Sequence, residues 1–146
     1  DLDHQAVESN YLKIRGSRTN ILPLVLDLTN PSPALGWSNR ERASMLERGP
    51  VDLALGLALV HHLNITNHLS FEQIAAFFAQ VCKHLIIEFV PGTDSQTSMM
   101  LSTRTCVSHE CSLESFKSAF LRHFTLTQED PIPDSVRTLY LFRRRE

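Results

Sequence analysis

The chain has 146 residues, 42% of them hydrophobic and 21% charged, with a formal net charge of −2, which is the composition of one globular domain with a sizeable core. That charge argues against a nucleic-acid surface built on global charge, and Arg143-Arg144-Arg145 alone is locally basic, reading as a solvated tail. No apolar run approaches the roughly 18 residues of a membrane span and no signal-peptide pattern is present.

Cys82, Cys106 and Cys111 are an odd number without framework spacing, which favours free thiols and a cytoplasmic location. The chain opens at Asp1, without methionine, on what reads as the end of a strand running into a helix. A fragment of a longer protein, incomplete at its N-terminus, is the expectation.

In chain order, Asp3 caps a helix over His4–Arg15, with Val7, Tyr11 and Ile14 at helical spacing and Gly16-Ser17 as its stop. Ile21–Leu28 (ILPLVLDL) is strand-like, with Pro23 placing it at an edge or at the strand's start. Asn30-Pro31-Ser32-Pro33 then forbids a ladder, and a loop with Gly36 and a tucked Trp37 leads to a short helix over Arg40–Arg48. The stretch VDLALGLALVHHL, Val51–Leu63, carries a single charge, Asp52. It reads as a strand over Val51–Ala58 that is buried on both faces, with chemistry expected at its carboxyl end. Ser70 and Gln73 form a capping box, and Phe71, Ile74, Ala75, Phe78 and Val81 form one apolar stripe. His84–Val90 is a second buried strand. Thr93–Ser112 is polar, with one helical turn near Ser98–Leu101, and Ser112 caps a helix with Phe116, Ala119, Phe120 and His123 on one face. Two β-type runs, Phe124–Gln128 and Val136–Phe142, are joined by a connection too short for a crossover helix, so they form an antiparallel hairpin.

The elements alternate, which predicts a mainly parallel sheet with helices on both faces and one antiparallel strand at the end. This pattern resembles the class I S-adenosylmethionine-dependent methyltransferases, whose otherwise parallel sheet is closed by an antiparallel hairpin. Asp1-Leu2-Asp3 resembles the family's second-strand end, and Asp27-Leu28 the third. Leu57-Ala58-Leu59 with His61-His62-Leu63 resembles the fourth. The resemblance implies that Asp1 holds the cofactor's ribose hydroxyls and Asp27 its adenine amino group. It places Leu2, Leu28, Leu57 and Ala58 beside the cofactor. The family's glycine-rich loop is absent, since the five glycines are isolated. The family's first strand lies between the second and the fourth, so the free side of Val51–Ala58 is expected to pair with a displaced Ile21–Leu28 or with a second copy in a homodimer.

Each reading has a plainer rival. His61 or His62 could serve as a base toward a substrate hydroxyl or amine, or one could cap the following loop while the other packs beneath it. Asn30-Pro31-Ser32-Pro33 is similar to the Asn-Pro-Pro-aromatic loop of amino-methylating enzymes, but lacks the aromatic residue, follows the wrong strand and reads better as a rigid turn. Cys106, His109 and Cys111 supply three zinc-type ligands without a fourth, so no metal is expected. Glu88, a charge within an apolar strand, has to reach the cleft or find an arginine or histidine. The expected fold is thus one three-layer Rossmann-like α/β domain over residues 1–146. Its expected work is methyl transfer from S-adenosylmethionine to a small molecule or protein side chain, with this fragment inactive by itself. The alternative is a non-catalytic methyltransferase-like module for binding or assembly.

Overall fold

The computed structural model describes residues 1–102 and 111–146, in two compact units, Asp1–Met45 and Leu46–Glu146. In the first unit, helix α1 covers His4–Ile14, and the Asp3 carboxylate accepts from the backbone N–H groups of Gln5 and Ala6, as an N-cap should. The expected apolar stripe is not a core: α1 buries no residue, and Tyr11 is exposed. Gly16 ends the helix with a φ of 83°, the left-handed conformation that glycine adopts without strain.

Two further expectations fail in this unit. Ile21–Leu28 is extended but forms no strand. Among the described residues its backbone partner is the start of the chain, where the Asp1 amino group donates to the Leu24 carbonyl at 3.2 Å and Leu26 N–H donates to the Asp1 carbonyl at 2.9 Å. Pro23 has no N–H to contribute, which shortens any ladder here. The helix over Arg40–Arg48 is also absent. A single 3₁₀ turn, Trp37–Asn39, takes its place, with Ser38 and Asn39 both at positive φ. These residues reverse the chain so that Leu35 and Arg42 pair backbone to backbone. Trp37 is not tucked in; it is 84% exposed.

The second unit is α/β. Strand β1 is Val51–Gly56, followed by a π-helical turn over His62–Thr66, helix α2 over Phe71–Val81 and strand β2 over Cys82–Phe89. Helix α3 (Ser95–Ser102), helix α4 (Leu113–His123) and strands β3 (Phe124–Pro131) and β4 (Thr138–Arg144) follow. Both expected caps are present: Ser70 and Gln73 close a full capping box on α2, and Ser112 accepts from Ser115 N–H at the start of α4. The α2 stripe is buried at all five positions.

The strands lie in the order β1-β2-β4-β3. The expectation of a mainly parallel sheet holds only as far as a mixed α/β sheet: among the described residues, β1 pairs with β2 in parallel, whereas β2–β4 and β4–β3 are antiparallel. The six-residue connection from Ile132 to Arg137 permits only a hairpin. Three strands, β1, β2 and β3, nevertheless share one direction, and β4 alone opposes them.

Helices α2 and α4 pack on one face of this sheet, where Leu85, Ile87, Phe89, Tyr140 and Phe142 are buried. Phe116 is the hub, with ring centroids 4.5–5.6 Å from those of Phe71, Phe89, Phe120 and Tyr140, spacings at which aromatic pairs add to plain burial. The opposite face corrects the reading of Val51–Ala58 as buried on both sides. Register places Leu53 beside His84 and Leu55 beside Ile86, and Val51, Leu53 and Leu55 are 49%, 48% and 61% exposed. Among the described residues β1 is the edge strand of this sheet, with β2 as its one strand neighbour.

This arrangement separates two truncations to alanine by outcome. Phe116→Ala, which empties the centre of the aromatic cluster, is expected to cost about 3–5 kcal/mol, and Leu53→Ala on the exposed face about 0.5 kcal/mol. Urea unfolding midpoints check both, and a large loss at Leu53 would mean that this face is covered.

Candidate site at the carboxyl ends of β1 and β2

Strand β1 stops at Gly56 because the backbone turns immediately after it. Ala58 adopts a φ of 48°, a conformation uncommon for a residue with a side chain. Its N–H donates to Glu88 Oε2 at 2.7 Å. Glu88 is the penultimate residue of β2, on the face away from α2 and α4, and is 6% exposed. Its other oxygen, Oε1, accepts from Arg137 Nη1 at 3.2 Å, and Arg137 Nε donates to Asp94 Oδ2 at 2.9 Å. One guanidinium therefore serves two buried carboxylates, whose hydrogen bonds, with that to Asp94 the larger, raise its pKa. Buried carboxylates without such a partner would be costly, and the expectation that Glu88 finds an arginine is met.

His61 and His62 follow on the turn beyond Ala58. The π-helical turn closes with Asn67 N–H donating to the His62 carbonyl at 3.1 Å, a local geometry often found at functional sites. The two imidazoles lie 4.3 Å apart, His61 buried and His62 exposed. His61 Nδ1 has no hydrogen-bond partner among the described residues. Burial first, then the neighbouring His62 and Arg137, push the His61 pKa down to about 4. His61 is a neutral imidazole at pH 7. Asn64 and Thr97 complete a buried polar group behind it.

Of the sequence-derived candidates, Leu57, Ala58, His61 and His62 come together on this turn, with Leu57 and Ala58 exposed. Asp1, Leu2, Asp27 and Leu28 belong to the first unit. The backbone bonds of Asp1 to Leu24 and Leu26 place it beside the segment that ends in Asp27. Asp27 Oδ1 accepts from Thr29 N–H at 2.8 Å and from Thr29 Oγ1 at 2.7 Å, and these bonds lower its pKa. Leu2 is 60% exposed. Cys106 and His109 lie outside the described residues, and among those described no group of three metal-type side chains converges. Sequence reading missed Asp94, Arg137, Asn64 and Thr97. Arg137 could have been found from the hairpin register, which sets Thr138 opposite Phe89 and so brings the preceding residue to the end of β2.

The depressed His61 pKa has a definite sign. Below pH 6.5 the unfolded chain takes up a proton at His61 that the folded chain refuses until about pH 4, so this group's contribution to stability falls as pH drops through that window. Wild-type urea midpoints should decline between pH 6.5 and 4.5, and His61→Gln should flatten that slope. Identical slopes would show that His61 titrates normally.

The chain is 37% identical over all 146 residues to the nodulation protein NoeA of Rhizobium meliloti (strain 1021), and it spans 31% of that protein's length. No protein-family model matches the chain. No solved structure matches it either.

Proposed function

We propose that this chain is the carboxyl-terminal part of a class I methyltransferase domain that uses S-adenosylmethionine. The observation that carries this reading is strand direction: β4 alone runs against β1, β2 and β3, which is the arrangement of an otherwise parallel sheet closed by an antiparallel hairpin. The three-layer Rossmann-like form belongs to this proposal and not to the four-stranded sheet itself. A second observation agrees with it. Asp1 donates to Leu24 and accepts from Leu26, the bonding of two parallel extended segments, and this sets Asp1 near Asp27.

The donor and acceptor chemistry fits the cofactor. Asp27 is held ionised by Thr29, which suits an acceptor for an adenine amino group, and Asp1 offers a second carboxylate to vicinal hydroxyls. Leu2 and Leu28, which belong to the same unit as these carboxylates, supply apolar surface for the adenine. When bound, the cofactor supplies an electrophilic methyl group on a sulfonium. The chain's own part is to hold the acceptor nucleophile in line with that methyl and to exclude competing water, and positioning of this kind supplies most of the acceleration. In this reading His62, the exposed imidazole of the pair, exchanges a proton with the nucleophile, with the buried His61 beside it. The chain carries no glycine-rich loop, so in this reading the methionine end of the cofactor is held by residues outside it.

Calorimetric titration separates the outcomes. This 146-residue chain should bind S-adenosylmethionine no more tightly than millimolar. A longer native polypeptide carrying it should bind in the micromolar range, and Asp27→Ala should weaken that binding on the order of 10- to 100-fold, as loss of a hydrogen bond to a charged group does. No binding by the longer polypeptide would favour the non-catalytic module.

A further inference from the structure

Three buried polar atoms have no hydrogen-bond partner among the described residues: His61 Nδ1, Asn64 Oδ1 and Thr97 Oγ1. They come from separate elements, the turn after β1, the π-helical turn and α3. All three residues line one small cavity, with Phe71, Phe89 and Val90 among its apolar walls. His61, Asn64 and Thr97 are 5%, 7% and 1% exposed. Leaving three polar groups unpaired at such depth would cost about 1–3 kcal/mol each, and native structures rarely tolerate that. The cavity measures about 10 Å³, at the lower limit of the space that a single water needs. Its polar lining meets the second requirement, that a buried water find two to four partners.

We propose that this cavity binds one water, and that the water fixes His61 in the tautomer with its proton on Nε2. The assignment follows from counting hydrogens. Asn64 Nδ2 already donates to the Leu69 carbonyl at 2.8 Å, so the Asn64 amide is oriented and presents only its oxygen, a pure acceptor, to the cavity. The Thr97 hydroxyl has one hydrogen to give. A water that accepts from Thr97 Oγ1 has two hydrogens left, one for Asn64 Oδ1 and one for His61 Nδ1. All three groups are then satisfied, and His61 Nδ1 must be the bare nitrogen. With the proton on Nδ1 instead, either the Thr97 hydroxyl hydrogen or one water hydrogen has no acceptor. The low proton affinity of His61 agrees, since a second proton would have to displace the water's donation.

The water site stands independently of what the chain binds. Its consequence for chemistry rests on the methyl-transfer reading: His61 then offers Nε2–H as a donor that orients, and His62 is the imidazole left to accept a proton.

Nitrogen-15 spectroscopy of the histidine rings, without cofactor, tests the proposal near pH 7. His61 should show a lone-pair Nδ1 and a protonated Nε2, and the Thr97 methyl and the His61 Hε1 should cross-relax with a long-lived water. Thr97→Val, which keeps the shape and removes the hydroxyl, should lose the water signal and mix the tautomers, and Thr97→Ser should restore both. A wild-type His61 protonated on Nδ1, absence of the water signal, or a folded Thr97→Val variant with unchanged spectra would overturn the proposal. If Thr97→Val fails to fold, the wild-type and Thr97→Ser spectra decide. Because no cofactor is present, failure here leaves the methyl-transfer reading standing, and the reverse also holds.

Discussion

The Glu88 carboxylate is the constraint on which the second unit's functional end depends. It accepts from Ala58 N–H on one side and from Arg137 on the other, so a single buried group ties the turn after β1 to the start of β4. Without it, Ala58 would have no reason to hold a left-handed φ of 48°. The direction in which His61 and His62 leave the strand follows from that turn. Arg137 extends the link to Asp94, which begins the approach to α3 and so positions Thr97. The fold thus spends a strand position that would ordinarily hold an apolar residue on fixing loop geometry.

What supports this constraint is a one-sided core. The aromatic cluster around Phe116 anchors α2 and α4 to the face of the sheet opposite Glu88, and the helices need no help from the other face to bury Leu85, Ile87, Tyr140 and Phe142. The second face carries the exposed row Val51, Leu53 and Leu55 at one edge and the buried Glu88 at the carboxyl end. Tyr140 is wholly buried and yet donates to Glu129 at 3.1 Å. Burial first, and then that bond, push its pKa up to about 12. Apolar packing and polar positioning are divided between the two sides of one sheet.

Much of this was legible in the residues and some was not, for physical reasons. The caps at Asp3, Ser70 and Ser112 are local devices set by a few neighbouring atoms, and each is present as expected. The α2 stripe and the closing hairpin follow from periodicity and connection length, and they too are present. The burial of Val51–Gly56 was not legible, because an apolar run reports only that cover is wanted and not that this chain provides it. Ile21–Leu28 failed for a related reason: a strand needs a partner's ladder, and composition does not show where one is. Among the site residues, Glu88 announced itself as a charge in an apolar strand. Its partners Arg137 and Asp94 sit in polar segments where a charge carries no signal until register is known. His61, Asn64 and Thr97 converge only through tertiary packing.

Glu88 holds the turn at the end of β1, and amide hydrogen exchange at Ala58 reads that restraint. In the wild type this amide should exchange slowly. In Glu88→Ala it should exchange near the rate of an unprotected amide, while the Leu85 and Ile87 amides within β2 remain protected. An Ala58 amide that exchanges equally fast in both proteins, or equally slowly in both, would show that Glu88 does not hold this turn.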